Sequence, residues 1–400
     1  MKKLNIVLLL IDANTIGGIQ THLMTLAAGM RTAGHQVTAL LPDASMLDDM
    51  VAPLLAKGVA VERLPGIQTA ALRLRHLTML WSHFRRIRPD VLHIQQSIPG
   101  YDRKGIIAGW SARVPLIVVT EHDQPWAETG LGAFRRRLVD RFTGGIITVS
   151  QFSRRLQLQE LGRGPSFVHT IYNGIDVAEF TPRQAGRQDF GIPVDVPVIG
   201  TMSRLEQHKG IDDLLQAAAL LAEKWPGLQL LISGTGPARA ELLALTKELG
   251  LQARVHFLGR YPDAPALLRR LDIFVLPSRW EAFGLVAAEA MAVGCPVVGT
   301  AVGGLPELIV DGETGFIVPS DAPQQLAQQI DWLLEDPLRR LAMGKAGRSR
   351  AAARFSAART TRDTLNLYQD LLSSSRVGRF PGRKYIARKV ARNLPDNQLW

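Results

Sequence analysis

Residues 273–299 read IFVLPSRWEAFGLVAAEAMAVGCPVVG. The apolar run 273–276 predicts a buried strand, and Pro277 ends it because it has no N–H to give to a ladder. From Phe283 to Val293 the pattern turns helical and Ala-rich, with Leu285, Ala288 and Met291–Ala292 on one face. Gly294 stops that helix, and 296–299 (PVVG) predicts the next strand. Glu281 then stands at the mouth of a strand-to-helix turn, and Glu289 about two turns inside the helix. The amides of Phe283, Gly284 and Leu285 are unpaired at a positive helix end, where a phosphate or a sugar hydroxyl is favoured. Carboxylates beside them are suited to accept hydrogen bonds from the hydroxyls of a sugar and a ribose. On spacing alone, the same residues also describe a plain βαβ unit with an exposed Glu281 and a helix-surface Glu289.

Outward from this segment, 400 residues exceed what one growing core accommodates, so two domains are expected. The content of 46% hydrophobic and 21% charged residues is that of a soluble globular chain. A single Cys295 cannot form an internal disulfide, and it reads as a small core residue in a reducing, cytoplasmic compartment. The start MKKLNIVLLLI imitates a signal peptide, but its apolar run is short, ends at Asp12 and lacks a small-residue cleavage site, so it reads as a first buried strand. No stretch is apolar for long enough to span a bilayer. Charge is uneven: residues 1–183 hold 21 Lys/Arg against 14 Asp/Glu, 184–375 hold 19 against 21, and 376–400 hold 7 against 1. No nucleic-acid module accompanies the basic regions, so no nucleic acid is expected. An anionic membrane surface or a lipid-linked anionic acceptor suits the asymmetry better.

The first half repeats strand and helix: strands at 4–11, 36–41, 59–64, 91–94 and 115–119, with helices between them, the order of a parallel doubly wound sheet. Gly17–Gly18 precede a helix marked by Ile19, Leu23, Leu26–Ala27 and Met30, either as a plain tight turn or as a close approach to a bound phosphate. Residues 69–88 form an amphipathic helix with Leu77, Leu80–Trp81, Phe84 and Ile87 in one stripe, ringed by arginines. It reads as packed on the sheet or as a membrane-surface helix. His122 follows strand 115–119, at the edge where open α/β sheets place ligands, although a lone histidine is as readily structural. Arg135–Arg137 read as a solvated face or a basic rim. Ser150 is an N-cap, Asn173–Gly174 a turn, and 181–197 a linker without apolar periodicity.

In the second half, strand 198–201 leads into a turn with Arg204 and Lys209, then a helix from about 211. Two cations at a sheet edge suit a diphosphate, or are two exposed basic residues in a polar loop. The segment 228–237 is a strand and glycine turn without the lysine and serine of a phosphate loop, so no ATPase is indicated. Residues 321–353 and 356–374 are helical by pattern.

Taken together, P-S-x-x-E-A-F-G-L-x-x-x-E-A-M-A-x-G-x-P-V-V-G at 277–299 is similar to the E-x7-E signature of glycosyltransferase family 4, retaining enzymes of the GT-B fold. SRLEQHKG (203–210), VHFLGRYPD (255–263), HTIYNGIDVAEF (169–180) and LPELIVDGETGFIV (305–318) also resemble family segments, with Tyr172 where members usually carry proline. The resemblance covers roughly residues 4–375. It implies two doubly wound Rossmann-like parallel-sheet domains facing across a cleft. Residues 1–180 would be the acceptor-side domain, 181–197 the linker and 198–355 the nucleotide-sugar-binding domain. A helix at 356–375 would cross back, ahead of a basic tail at 376–400. The implied reaction moves a sugar from a UDP- or GDP-sugar to a hydroxyl, with retention; the basic first domain and tail point to a glycan or glycolipid acceptor of a bacterial envelope.

The same resemblance assigns roles. His122 touches the transferred sugar near the reaction centre, Arg204 and Lys209 stabilise the leaving nucleotide, and Glu281 acts in the same centre. Gly18, the backbone near Tyr261, the amides of Phe283, Gly284 and Leu285, and Glu289 contact the donor. Glu307 reads as structural. The nucleotide sugar is a co-substrate, and no cofactor or metal is expected: no Asp-x-Asp stands at a plausible metal position, and paired cations can neutralise the diphosphate. Such a protein would be cytoplasmic, or peripheral on the inner face of the membrane. Two rivals keep a place: a non-catalytic nucleotide-sugar-binding subunit, and a glycosidase using Glu281 and Glu289 as acid and base.

Overall fold

The computed structural model describes residues 2–11, 17–67, 73–97, 103–123, 130–180, 190–193 and 195–375. The expected linker therefore lies mostly outside the described residues, as do the basic tail and the onset of the 69–88 helix. The described chain forms two units, one of Met1–Val149, Arg154–Ile171 and the stretch from Thr361, the other of Ser150–Ser153 and Tyr172–Thr360.

The first unit holds β1 (Asn5–Leu10), β2 (Gln36–Pro42), β3 (Ala60–Leu64), β4 (Val91–Gln96), β5 (Leu116–Glu121), β6 (Gly145–Thr148) and β7 (Val168–Thr170). All pairs are parallel, in the order β3-β2-β1-β4-β5-β6-β7. A parallel sheet is covered on both faces, and β1 shows the consequence. Ile6, Leu8 and Leu10 enter one apolar cluster, while Val7, Leu9 and Ile11 enter another. The first cluster is completed by Leu365, Leu367 and Tyr368 of the helix Ala357–Ser375.

The second unit holds β8 (Val198–Met202), β9 (Gln229–Ser233), β10 (Val255–Gly259), β11 (Ile273–Leu276), β12 (Val297–Thr300) and β13 (Gly315–Val318). They are again parallel, in the order β10-β9-β8-β11-β12-β13. In both sheets the strand order reverses about the first strand: β1 lies between β2 and β4, and β8 between β9 and β11. Loops diverge at such a point, and the crevice outside the carboxyl ends of the two strands is where ligands bind.

Several expectations need correction. The helix expected from Phe283 starts at Leu285, because Gly284 adopts a left-handed conformation (φ 91, ψ 53). Residues 168–170 form a strand that was not expected. In the helix Leu74–Ile87 the buried residues are His76, Leu80 and Phe84, while Trp81 of the supposed packed stripe is exposed. Arg136 is buried, so the arginine run 135–137 is not a uniformly solvated face. Ser150 does act as expected: its hydroxyl accepts from the Ser153 amide at 3.0 Å.

One buried charge cluster ties the end of β5 to the rest of its unit. Arg163 donates to Glu121 Oε2 and to Asp140 Oδ1, both at 2.8 Å, and Gln157 and Gln96 donate to the same Glu121 carboxylate. Burial pushes the Glu121 carboxyl up, against the pull of the Arg163 charge. Removing one partner of such a group strands the other in a dry interior. We therefore expect Arg163→Leu to lower unfolding stability by about 3–5 kcal/mol, read by urea denaturation.

Candidate active site

The carboxyl edge of the second sheet brings together most of the residues singled out in that half. The turn after β8 is bonded on both sides. Ser203 and Leu205 amides donate to Ser233 and Thr235 carbonyls at 3.0 and 2.9 Å, and the Arg279 amide donates to His208 carbonyl at 2.8 Å. Gly210 closes that turn at φ 63, and a Cβ there would overlap the carbonyl oxygen of Pro277. The loop after β11 is held in turn by Gly303, whose Cβ would overlap the Glu281 carbonyl, and by the Gly304 amide donating to the same oxygen at 3.0 Å.

On this bed Lys209 Nζ donates to Glu281 Oε2 at 2.9 Å, with both side chains mostly buried. Arg204 Nη1 donates to Glu206 Oε1 at 2.6 Å, and His208 Nδ1 lies 3.2 Å from the other oxygen of Glu206. Two cations and two carboxylates thus alternate beside the start of the helix Leu285–Ala292. The amides of Phe283, Gly284 and Leu285 make no backbone hydrogen bond among the described residues. The Arg204 pair is half-exposed, a kind worth about 0–1 kcal/mol, so a diphosphate can take its place.

Phe283 is buried, its ring 6.0 Å from that of Tyr172 and 5.7 Å from that of Phe355, so only its backbone is offered to a ligand. Leu285 is partly buried as the first helical residue. Glu289 is buried, not on the helix surface, and burial together with the Glu179 charge pushes its carboxyl up to about 8. Tyr261 packs against Phe190 at 5.2 Å, and its amide donates to Ser233 Oγ at 3.4 Å. Glu307 accepts from the amides of Gln151 and Phe152 at 2.8 and 2.7 Å, which is a helix-capping role.

Sequence reasoning missed Arg279. It donates to both oxygens of Asp212 at 2.8 Å, to Asp213 at 3.1 Å, to Asp321 at 2.5 Å and to the Gln207 carbonyl at 2.8 Å. The signal lay in the quoted segment itself, where an arginine stands two residues before Glu281, and in the acidic pair Asp212–Asp213 across the turn.

In the first unit, Gly18 is exposed at the first position of the helix Gly18–Thr32, and Gly17 donates its amide to Gln20 Oε1 at 2.8 Å. Residues 12–16, just before Gly17, are outside those described. His122 directly follows β5, and its amide donates to the Gln96 carbonyl at 3.0 Å. Its ring lies edge-on to His22 (4.8 Å between centroids, 68°), and its Nε2 is 2.7 Å from Gln95 Oε1. Burial lowers all three histidines here: His22 to about 4, His93 to about 3, and His122 well below its ordinary value.

Residues 16–179 match the model of Glycosyltransferase Family 4, and residues 182–350 that of Glycosyl transferases group 1. The chain belongs to glycosyltransferase family 4. Two curated relatives are named D-inositol 3-phosphate glycosyltransferase. The one from Corynebacterium aurimucosum is 34% identical over 251 residues, 60% of this chain and 59% of the relative. The one from Mycobacterium tuberculosis is 42% identical over 207 residues, 49% of this chain and 41% of the relative. The matched segments thus span less than two thirds of these relatives. Among solved structures, Anabaena HepE in complex with UDP and glucose aligns with a TM-score of 0.79 at 24% identity, covering 92% of this chain and all of its own. Both parallel sheets are those of the GT-B fold.

As to Glu289, an unfolded glutamate ionises near 4.5, while the folded one holds its proton to about 8. Below 4.5 both states are protonated and the carboxyl costs folding nothing. As pH rises through this window only the unfolded chain gains by ionising, so stability falls and then levels off. Glu289→Gln removes that loss. Its melting temperature, measured by scanning calorimetry, should exceed the wild type by at least roughly 2–4 °C at pH 8 and converge on it near pH 4.5.

Proposed function

We propose that this family 4 glycosyltransferase moves a sugar from a nucleotide diphosphate sugar to a hydroxyl of a phosphate-bearing acceptor, with retention and without a metal. The observation that carries this is the alternation of Arg204, Glu206, Lys209 and Glu281 beside the free amides of 283–285, at the strand-order reversal of the second unit. A diphosphate needs cations and N–H donors, and a sugar needs carboxylates within reach of its hydroxyls. Both sets stand on one edge, on adjacent strands.

In this reading the diphosphate displaces Glu206 from Arg204 and shares Lys209 with Glu281. Lys209 and Arg204 then face the oxygens on which charge develops as the glycosidic bond breaks. Glu281 stays fixed by Lys209 and accepts from a hydroxyl of the sugar. Glu289 accepts from the ribose, Gly18 approaches the diphosphate, the backbone near Tyr261 meets the base, and His122 touches the transferred sugar. Retention follows from attack on the face the nucleotide leaves, with the departing phosphate taking the acceptor proton.

The donor class is supported by the UDP and glucose bound to Anabaena HepE, and a phosphate-bearing acceptor by the names of the curated relatives and the basic first unit. A lipid-linked envelope acceptor at the inner membrane face is the version we favour. Arg85, Arg88 and Arg113 line an open recess of about 280 Å³, and Arg85 stacks on the exposed Trp81, a surface suited to anionic headgroups. No helix among the described residues is long and apolar enough to cross a membrane.

Thermal shifts against nucleoside diphosphates and their sugars test the donor site, since a ligand bound only by the folded state raises the midpoint. We expect a shift of the second unit's transition with one base, larger with one sugar; no shift with any of them would remove the reading. With the donor so named, Arg204→Ala should lower kcat by about 10²–10³ while KM changes little, and turnover by the wild type should persist in EDTA.

A further inference from the structure

Behind His122 runs a chain of buried polar groups that the reaction as described does not use. Gln95 and His93 lie on β4 and are fully buried, as is Tyr368 on the helix Ala357–Ser375. His122 Nε2 is 2.7 Å from Gln95 Oε1, Gln95 Nε2 is 3.1 Å from His93 Nε2, and His93 Nδ1 is 2.5 Å from the Tyr368 hydroxyl. Thr120 Oγ1 on β5 adds a fourth contact, 2.6 Å from His93 Nε2.

The donor and acceptor roles along this chain are not independent. An imidazole that is neutral carries one N–H and one lone pair, and the partner of one nitrogen decides the state of the other. His93 Nε2 faces the amide N–H of Gln95 and the hydroxyl of Thr120. It is therefore the bare nitrogen, and Nδ1 carries the proton and donates to Tyr368. With its amide nitrogen turned to His93, Gln95 presents its carbonyl oxygen to His122, so His122 Nε2 is the protonated nitrogen. The His122 Nδ1 lone pair is then left as its acceptor. His22 packs edge-on against this ring, and its Nε2 has no hydrogen-bond partner among the described residues.

We propose that Tyr368, His93 and Gln95 are positioning residues that hold His122 in the single tautomer with Nε2 protonated and Nδ1 free to accept from a hydroxyl of the transferred sugar. The second half of this statement rests on the role given to His122 above; the first half does not. Tyr368 is the keystone, because without its oxygen His93 Nδ1–H has no acceptor. His93 then gains by moving its proton to Nε2 and donating to Thr120. The Gln95 amide turns over in response, and His122 loses its preference.

The test is nitrogen-15 NMR of the full-length protein labelled at histidine, where protonated and bare ring nitrogens have well-separated shifts. In the wild type we expect His122 with Nε2 protonated and His93 with Nδ1 protonated. Tyr368→Phe is close to isosteric and should fold, and it should move both rings to mixed or reversed tautomers; Gln95→Met should do so at His122. A wild-type His122 protonated at Nδ1, or tautomers unmoved in Tyr368→Phe, would overturn the proposal. Hydrolysis of UDP-glucose separates the two readings. A several-fold lower kcat at unchanged KM in Tyr368→Phe supports both. Tautomers that respond as stated in a protein without nucleotide-sugar turnover support the positioning chain and count against the donor reading alone.

Discussion

The second unit depends on backbone meeting backbone where its strands end. The loop after β8 lies against those after β9 and β11, and the loop after β12 against that after β11, at distances that leave no room for a Cβ at Gly210 or Gly303. Main-chain hydrogen bonds run along the same contacts. Such a bed is stiff because its contacts join main-chain atoms, which have no rotamers to change. Arg279 locks its underside by spending all its donor groups on Asp212, Asp213, Asp321 and a carbonyl. Lys209 and Glu281 therefore project from fixed positions, and their ion pair needs no loop to close before it forms. Preorganised charge of this kind is what stabilises a charged transition state without reorganisation.

The first unit handles its polar groups in the opposite way. Three histidines, a tyrosine, a glutamine and a threonine gather near the ends of β4 and β5, and burial keeps the histidines neutral. Charge is kept apart from them, in the cluster of Glu121, Arg163 and Asp140, where each carboxylate has the guanidinium as a partner. A neutral hydrogen-bonding surface reads hydroxyls by direction; a charged one holds a phosphate by field.

Much of this was legible in the sequence, and the failures have definite causes. Strands β1, β2, β4 to β6, β8, β9, β11 and β12 are mainly apolar runs bounded by turn residues, and parallel strands buried on both faces declare themselves in that way, whereas the edge strand β3 is only part-buried. Gly284 ended the helical pattern two residues inside the expected start, because periodicity counts apolar residues and ignores a left-handed φ. Phe283 fitted the helix by spacing, yet it joins Tyr172 and Phe355 in a contact that only the folded chain defines. In the plain βαβ reading Glu289 was a helix-surface residue, since a carboxylate within an alanine-rich helix usually is one, and its burial reflects what packs on that helix. The positioning chain was invisible for a simpler reason: Tyr368 and His93 are 275 residues apart.

That separation bears on how the first unit holds together. Its sheet closes one apolar cluster with Leu365, Leu367 and Tyr368, residues translated after the whole of the second unit. A contact between such distant segments costs loop-closure entropy that grows slowly with length but is never zero, and the intervening unit lowers the cost once folded by holding its own two ends. Apolar burial alone would secure the last helix against the sheet while tolerating a small slide. The hydrogen bond from His93 to Tyr368 tolerates less, since a shift of about 1 Å carries it out of range and leaves two buried polar groups unpaired. The packing thus supplies adhesion and the buried hydrogen bond supplies register, and in the proposed chain the register sets the proton on the histidine that follows β5.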